Sequence, residues 1–214
     1  MLNKEQIIQW LQAVATVLQE KKDYLTELDA TIGDADHGIN MNRGFQKVVT
    51  QLPTFTNKDI GSIFKTVSMT LISSIGGASG PLYGTLFLRI SAVVAGKSEI
   101  TTEDMAKILV AAVEGVVQRG KANLGDKTML DALSPAADTF TEAAGNGCSL
   151  VESLKQAVDA AEQGMKNTIS MLAKKGRASY LGDRSIGHQD PGATSTYLIL
   201  KTLLDTLESD RQIN

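Results

Sequence analysis

Residues 101–120 read TTEDMAKILVAAVEGVVQRG, and this stretch carries the clearest structural pattern in the chain. Its apolar side chains recur every three or four positions, which places them on one face of an α-helix. That face carries Met105, Ile108, Leu109, Ala112, Val113, Val116 and Val117. Thr101 or Thr102 is suited to cap the start of the helix, and Gly120 is suited to end it. The stretch therefore predicts an amphipathic helix with one buried face.

The same helical period recurs in seven further segments. Apolar side chains at helical spacing fall within residues 7–18, 41–52, 60–71, 86–94, 128–144, 149–172 and 197–207. No segment shows the strict alternation of apolar and polar residues that indicates a half-buried strand. The pattern predicts an all-α fold with eight helices. Because no long linker interrupts the chain, we expect one domain over residues 1–214.

The order of the helices predicts which loops meet. Short connections make successive helices antiparallel neighbours, so alternate loops share one end of the bundle. One such set of loops comprises residues 28–38, 75–84, 120–128 and 176–192. This set contains both histidines, an acidic cluster and a glycine-rich turn, whereas the other three loops look like plain connectors. We therefore predict a composite site at one rim of a barrel or bundle of antiparallel up-down helices.

The composition excludes several classes of function. The net charge of −3 gives no bulk attraction to nucleic acid or to an anionic membrane. A single cysteine excludes an internal disulfide framework and any multi-cysteine zinc site. The N-terminal residues lack the apolar core of a signal peptide, and no segment is long and apolar enough to cross a membrane. We expect a cytoplasmic protein that binds neither nucleic acid nor membrane.

Three carboxylates lie close together in DATIGDADHG, residues 29–38. Asp29, Asp34 and Asp36 would repel one another unless a cation neutralised them. Magnesium prefers such oxygen ligands together with water and phosphate oxygens. The residues do not fit an EF-hand, whose sixth and twelfth positions need glycine and glutamate. The alternative is a solvated acidic turn that caps helices. We favour a metal site.

A glycine-rich turn, IGGASGPLYGT, occupies residues 75–85 and leads into a helix. Glycines let backbone N–H groups approach an anion, and the N-terminus of a helix attracts negative charge. Ser79 and Thr85 add hydroxyl groups. The turn lacks the lysine of a Walker A loop, and no strand precedes it as in a dinucleotide fingerprint. The turn predicts phosphate binding, with a tightly packed helix–helix turn as the alternative.

Two further segments fall on the same predicted rim. GDKTMLD, residues 125–131, contains Thr128 as a helix cap and Met129, which would line an apolar pocket or the core. The long segment 176–192 is unusual in a compact domain, and its length is typical of a functional loop. Arg177 and Arg184 within it are suited to clamp a phosphate.

Four strings in these segments carry a family resemblance. They are IGDADHGINMNRGF, SSIGGASGPLYGT, RGKANLGDKTM and KGRASYLGDRSIGHQDPGATS. The chain resembles the nucleotide-binding L subunits of bacterial dihydroxyacetone kinases that draw phosphate from the phosphoenolpyruvate phosphotransferase system. The resemblance covers essentially the whole chain. It implies a barrel of eight antiparallel helices with the nucleotide at one rim.

The resemblance also implies a set of site residues. Asp29, Asp34 and Asp36 would hold two Mg²⁺ ions against the phosphates of ADP or ATP. The implied nucleotide contacts are His37, Gly38, Ile39, Asn40, Ala78, Ser79, Gly120, Met129, Arg177, Asp190, Pro191 and Gly192, with Gly80 and Thr85 as further candidates. No catalytic residue is implied in this chain beyond the metal–nucleotide site.

The implied function is phosphoryl transfer through a nucleotide that stays bound. ADP would accept phosphate from the phosphohistidine of a phosphotransferase-system partner, and the resulting ATP would phosphorylate dihydroxyacetone on a separate substrate-binding subunit. A transcriptional regulator is a further expected partner, and a homodimer is the expected oligomer. Two alternatives stay open: a stand-alone relative that uses free ATP, and a non-catalytic module that binds nucleotide or lipid.

Overall fold

Nine α-helices make up most of the part of the chain that the structure describes. This computed structural model describes the backbone of residues 1–213 and the side chains of residues 1–210. The helices are α1 Lys4–Glu20, α2 Lys22–Ile32, α3 His37–Val49, α4 Ile60–Ser74, α5 Ser79–Val93, α6 Thr102–Gly120, α7 Leu130–Gly145, α8 Leu150–Asn167 and α9 Pro191–Ile213. Short 3₁₀ segments lie at Leu52–Phe55, Thr168–Ser170 and Arg177–Ser185. Two-residue strands, β1 Leu2–Asn3 and β2 Glu99–Ile100, pair antiparallel. The predicted all-α class is confirmed.

The sequence patterns missed α2, which carries Asp29 on a helix rather than in a loop. Only Leu25, Asp29 and Ile32 of this helix are buried, so its apolar stripe is too sparse to show a clear period. The helix continues α1 almost without a break. The N–H of Lys21 donates to the carbonyl of Val17 at 2.9 Å, and that of Leu25 donates to the carbonyl of Lys21 at 2.9 Å. With α1 and α2 taken as one interrupted helix, the eight predicted helices are present.

A second difference concerns the end of α8. The apolar spacing predicted a helix that included Ile169 and Leu172, but α8 ends at Asn167 and a 3₁₀ turn follows. The carbonyl groups of Thr168 and Met171 accept hydrogen bonds from the side chain of Lys127, which is distant in sequence, at 2.8 and 3.2 Å. Such a long-range contact leaves no trace in local periodicity.

The helices close into a ring. α3 packs against α1 and α2, each later helix packs against the next, and α9 packs against α1. At this closing contact, the indole N–H of Trp10 donates to the carbonyl of Ile199 at 3.1 Å. One continuous apolar core fills the ring and receives side chains from all nine helices. Within the described residues, no helix combines the length and apolar character needed to span a membrane.

The two ends of the barrel differ in how helices begin. We call the end where α1, α4, α6 and α8 begin the far end, and the end where α3, α5, α7 and α9 begin the rim. Every helix that begins at the far end has a side-chain N-cap, from Asn3, Asp59, Thr101 and Ser149. At the rim, the N-cap residues of α3, α5 and α7 make no side-chain cap bond, and they are Asp36, Ala78 and Met129. Helix N–H groups at the rim are therefore left for other acceptors.

Candidate magnesium and nucleotide site

One open cavity of about 360 Å³ occupies the rim. Its lining comes from the α2–α3, α4–α5, α6–α7 and α8–α9 connections and the helix ends beside them. The lining residues fall within residues 29–37, 76–83, 116–130, 175–178 and 190–192. The structure thus brings together the four loops that connection order alone predicted to share one end.

Asp29, Asp34 and Asp36 meet at one side of this cavity. Each offers a carboxylate oxygen, and the three oxygens lie within 4.8 Å of one another. Ligands on opposite sides of one Mg²⁺ ion are about 4 Å apart, so small side-chain movements would let all three bind the same ion. The donor set consists only of carboxylate oxygens, which is the chemistry that Mg²⁺ prefers. The three residues therefore fit a magnesium site.

Asp29 also serves the fold. Its Oδ2 accepts the backbone N–H groups of Asp36 at 2.8 Å and of His37 at 3.1 Å. The carboxylate at the end of α2 thus supplies the cap that α3 lacks from its own N-cap residue. The alternative interpretation of the acidic residues as helix caps is therefore correct for Oδ2 of Asp29. Its Oδ1 forms no hydrogen bond with the described residues.

Arg177 lies beside the acidic cluster, with its guanidinium 2.9 Å from a carboxylate oxygen of Asp34. Their side chains are 68% and 37% exposed, so the ion pair contributes little to stability. An exposed guanidinium next to three carboxylates is free to turn toward a phosphate without breaking a buried contact.

His37 joins three helices beneath the cavity. Its Nε2 lies 2.9 Å from the hydroxyl oxygen of Ser195 in α9, and its Nδ1 lies 3.2 Å from that of Ser79 in α5. Burial lowers the pKa of His37 to about 4, so the imidazole is neutral near pH 7. The hydroxyl of Tyr83 continues the network at 2.7 Å from Ser195. His37 lines the cavity while holding the start of α5 against α9.

The glycine-rich turn places the N-terminus of α5 on the cavity wall. Gly77 adopts a φ of +63°, which favours glycine, and a side chain there would meet nothing within 4 Å. Ala78 and Ser79 line the cavity, and Ala78 gives α5 no side-chain cap. Gly80 instead packs tightly, because a Cβ there would lie 2.3 Å from the carbonyl oxygen of Ile75. The turn therefore combines tight packing with a helix N-terminus that faces the cavity.

The remaining wall comes from the ends of α6, α7 and α9. Gly120 and Met129 line it, together with Asp190, Pro191 and Gly192. Asp190 caps α9, since its Oδ2 accepts the N–H of Ala193 at 2.7 Å. Burial raises the pKa of Asp190 to about 7.

Three of the predicted nucleotide contacts lie away from the cavity lining. Gly38 packs against α2, where a Cβ would lie 2.0 Å from the carbonyl oxygen of Lys22. Ile39 is 48% exposed. Asn40 is buried and accepts a hydrogen bond from the guanidinium of Arg43 at 2.5 Å. Direct contact between these three residues and a nucleotide stays a prediction.

Sequence reasoning gave no role to two residues that shape the rim. Arg43 donates from Nε to the carbonyl of Ser74 at 2.8 Å and so braces the glycine-rich turn. Lys127 lines the cavity although its side chain is almost wholly buried. The available signal for Lys127 was its place in GDKTMLD, a lysine in a glycine-containing loop on the predicted rim.

Residues 31–205 match the family model described as the DAK2 domain. A relative from Escherichia coli strain K12 is named PEP-dependent dihydroxyacetone kinase, ADP-binding subunit DhaL. It is 47% identical over 202 residues, which cover 94% of this chain and 96% of the relative. A Lactococcus lactis relative named PTS-dependent dihydroxyacetone kinase, ADP-binding subunit DhaL, is 42% identical over 97% of this chain and 100% of its own length.

Solved structures show the same fold. The native dihydroxyacetone kinase of C. freundii superposes with a TM-score of 0.73 at 23% identity, over 93% of this chain and 34% of that chain. The structure of that kinase in complex with AMP-PNP and Mg²⁺ gives a TM-score of 0.68 over 92% of this chain. This chain thus spans about a third of the C. freundii chain. From the family match and the curated relatives, we conclude that the chain belongs to the DAK2 domain family, in the group of dihydroxyacetone kinase subunits.

Proposed function

We propose that this chain is the ADP-binding subunit of a dihydroxyacetone kinase and holds its nucleotide in the rim cavity. The observation that carries the proposal is the meeting of an acidic cluster, an uncapped helix N-terminus and an exposed arginine around one cavity. The names of the E. coli and L. lactis relatives support ADP as the nucleotide. The C. freundii kinase in complex with AMP-PNP and Mg²⁺ supports a magnesium–nucleotide pair on this fold.

In this proposal Asp29, Asp34 and Asp36 hold two Mg²⁺ ions. The bound ions neutralise negative charge on the phosphates and on the group in transfer. Three carboxylates and two divalent cations sum to about +1, which attracts a polyphosphate. Asp29 is held in place by its bonds to the start of α3, whereas Asp34 reaches into the cavity from the turn.

The other lining residues bind and orient the nucleotide. The backbone N–H groups at Ala78 and Ser79 donate to phosphate oxygens, helped by the dipole of α5. Arg177 moves its guanidinium from Asp34 to the phosphates. Met129 offers an apolar surface to the adenine ring. The α9 N-terminus, which Asp190 caps, completes the pocket.

The reaction passes one phosphoryl group through the bound nucleotide. ADP accepts it from a phosphohistidine on a phosphotransferase-system partner, and the ATP so formed gives it to dihydroxyacetone held by a separate subunit, which yields dihydroxyacetone phosphate. The E. coli relative is named PEP-dependent and the L. lactis relative PTS-dependent, and both names support this source of phosphate. The chain supplies alignment and charge neutralisation, which dominate phosphoryl transfer, and no nucleophile.

Titration calorimetry with ADP and Mg²⁺ tests the site. We expect Asp34→Asn and Asp36→Asn each to abolish tight ADP·Mg binding, while circular dichroism shows an intact helical fold. Asp23→Asn is the matched control, because Asp23 is an exposed carboxylate on α2 whose only ion pair among the described residues is with Lys22 at 3.3 Å. Unchanged affinity in both cavity variants would contradict the proposal.

The rival that uses free ATP differs in how long the nucleotide stays bound. ADP that survives gel filtration with the protein favours a resident cofactor, and rapid exchange with free ATP favours the rival. The lipid-binding alternative has less support, because the apolar cavity inside the barrel is only about 50 Å³. A homodimer, a regulator as partner and a cytoplasmic location stay predictions.

A further inference from the structure

The ammonium group of Lys127 is enclosed by four backbone carbonyl oxygens. They belong to Thr168 at 2.8 Å, Met171 at 3.2 Å, Ser185 at 2.6 Å and His188 at 2.5 Å. The side chain is 1% exposed. Among the described residues, no carboxylate forms an ion pair with this ammonium within 4 Å. Carbonyl oxygens are therefore its direct partners, and the carboxyl group of Asp190 acts on its charge without an ion-pair contact.

All four carbonyls come from one stretch of chain, residues 168–190, which joins α8 to α9. Two lie at its beginning and two near its end, so the ammonium closes the stretch on itself. One backbone bond reinforces the closure, since the N–H of Gly187 donates to the carbonyl of Ile169 at 2.7 Å. A second joins the stretch to the α6–α7 connection, since the N–H of Lys174 donates to the carbonyl of Asp126 at 3.1 Å. We call residues 168–190 the clasped loop.

The turn that presents Lys127 is held firmly. Asp131 accepts the backbone N–H of Gly125 at 2.6 Å with Oδ1 and that of Thr128 at 2.7 Å with Oδ2. Lys127 itself has a φ of +61°, a left-handed backbone conformation that residues other than glycine and asparagine rarely adopt. Such a strained residue persists because the surrounding bonds hold it in place, here those of Asp131 to the turn and those of the four carbonyls to the ammonium.

The clasped loop carries two residues of the proposed nucleotide site. Arg177 lies inside it, and Asp190 at its end caps α9 and lines the cavity. The N–H of Asp190 also donates to the hydroxyl of Thr168 at 3.0 Å, beside one of the four carbonyls. The position of Arg177 relative to Asp34 therefore depends on a stretch that contains two 3₁₀ segments and no α-helix, and that is folded around the ammonium of Lys127.

A ring of carbonyl oxygens is also the ligand set by which proteins hold K⁺. We propose that Lys127 is a positioning residue that acts as a tethered monovalent cation: it fixes the clasped loop and so presets Arg177 and the start of α9 for ADP·Mg. The inference rests on the proposed function for its effect on nucleotide binding. Its effect on the loop itself does not depend on that function.

The test removes the tether and supplies a free cation. Lys127→Ala leaves the four carbonyls facing an empty space that NH₄⁺ or K⁺ can enter. Tetramethylammonium at equal ionic strength is the control ion, because it is too large and has no N–H. Lys121→Ala is the matched control variant, since Lys121 lies in the same connection, has a φ of +52° and is exposed.

Two readouts are measured in each salt: ADP·Mg affinity by calorimetry, and hydrogen exchange of residues 168–190 without nucleotide. In tetramethylammonium chloride, we expect Lys127→Ala to weaken ADP·Mg at least tenfold and to speed exchange of the clasped loop. NH₄⁺ or K⁺ should reverse at least half of each effect on a logarithmic scale. In the wild type and in Lys121→Ala, the ADP·Mg affinity and the exchange of the clasped loop should be the same in all three salts. A purely structural role for Lys127 would produce a loss that no cation restores.

The outcomes separate the two proposals. If the wild-type protein fails to bind ADP·Mg, the proposed function is wrong, and the exchange measurement alone decides the role of Lys127. If the wild type binds and Lys127→Ala binds equally well with unchanged exchange, the inference about Lys127 is wrong. Lys127→Gln, which keeps most of the volume, guards against misfolding. Failure of both Lys127 variants to fold would assign the ammonium to global stability and overturn the proposal.

Discussion

Asp29 and Asp34 share one acidic cluster but differ in what else they hold. Asp29 is nearly buried and accepts two backbone N–H groups at the start of α3. Asp34 is partly exposed and pairs with the exposed Arg177. Removal of Asp29 would leave two helix donors unsatisfied, whereas removal of Asp34 would relieve repulsion between carboxylates. The two residues therefore allow the structural and ligand-binding roles of the cluster to be separated.

Without metal, Asp29→Ala should lower the free energy of unfolding by about 1–3 kcal/mol, because a helix cap is lost. Asp34→Ala should change it by less than about 0.5 kcal/mol, because an exposed ion pair contributes little. Urea denaturation in the presence of EDTA, followed by circular dichroism, measures both. Equal losses in the two variants would contradict the assignment of the cap to Asp29.

Asp190 gives the protein a pH dependence with a defined sign. Burial raises its pKa from 3.8 to about 7. The hydrogen bond from the N–H of Ala193 and the positive charge of Lys127 oppose this rise, whereas the negative charges of Asp131 and Asp29 add to it. Between about pH 4 and pH 7 the native carboxyl keeps a proton that the unfolded chain has lost. The free energy of unfolding therefore falls as pH rises through this window.

Asp190→Asn should remove that fall. The stability of the wild type relative to the variant should decrease by roughly 2–4 kcal/mol from pH 4 to pH 7.5, given about 1.4 kcal/mol for each pKa unit. Urea denaturation of both proteins across this range in EDTA checks the difference. A wild-type protein that gained stability over the variant with rising pH would contradict the buried, protonated state.

At the scale of helices, local signals predicted the far end better than the rim. The cap predicted at Thr101 is confirmed, and Ser149 and Glu152 form a capping box of the same spacing, because such bonds join residues three apart in sequence. The end of α8 was misplaced, because carbonyls beyond it bind a lysine that lies 41 or more residues away in sequence. Helix starts with local caps are readable from sequence, whereas ends fixed by distant side chains are not.

Close approach between helices gives a second test at this scale. Gly164 in α8 lies against α7, and a Cβ there would come within 1.9 Å of the carbonyl oxygen of Asp131. We expect Gly164→Ala to lower the free energy of unfolding by about 2 kcal/mol or more. Gly145→Ala is the control, because a Cβ at this end of α7 meets nothing within 4 Å, and it should raise stability by about 0.5 kcal/mol. Thermal denaturation compares them, and similar stability of the two variants would contradict the packing.

At the scale of the molecule, the barrel closes where α9 meets α1. Trp10, the chain's one tryptophan, lies at this closing contact and packs on Phe64 and Phe87 with ring centroids 6.2 Å away in each case. Each helix packs against two neighbours in a closed ring. Opening one contact therefore exposes core side chains of both helices that form it. We therefore expect the ring to unfold as a unit.

Urea unfolding followed by Trp10 fluorescence should coincide with unfolding followed by helical circular dichroism. The reason is that the reporter at the closing contact and the helices share one core. Saturating ADP·Mg at about 100 times its dissociation constant should shift both curves together, by about 2.7 kcal/mol. A fluorescence change at clearly lower urea than the loss of helix would show that the α1–α9 contact opens by itself.

The global arrangement was predictable because it depends on simple rules. Helical periodicity gave the all-α class, and the order of short connections placed four loops at one rim. The same rules give no role to Gly38, Ile39 and Asn40, which only the family resemblance implied. In the structure Gly38 packs against α2, Ile39 is exposed and Asn40 bonds to Arg43, and their contact with a nucleotide stays a prediction. These rules also could not reveal the clasped loop, whose closure depends on one buried side chain from another connection.

The four loops of the rim together form one proposed magnesium–nucleotide site. Native mass spectrometry of the undenatured protein, with ADP and Mg²⁺ supplied, measures this most directly. We expect a dominant species with the mass of the chain plus one ADP and two Mg²⁺ ions, and loss of that species in Asp34→Asn. A bare chain in excess ADP and Mg²⁺, or ADP retained equally well without any metal, would contradict it.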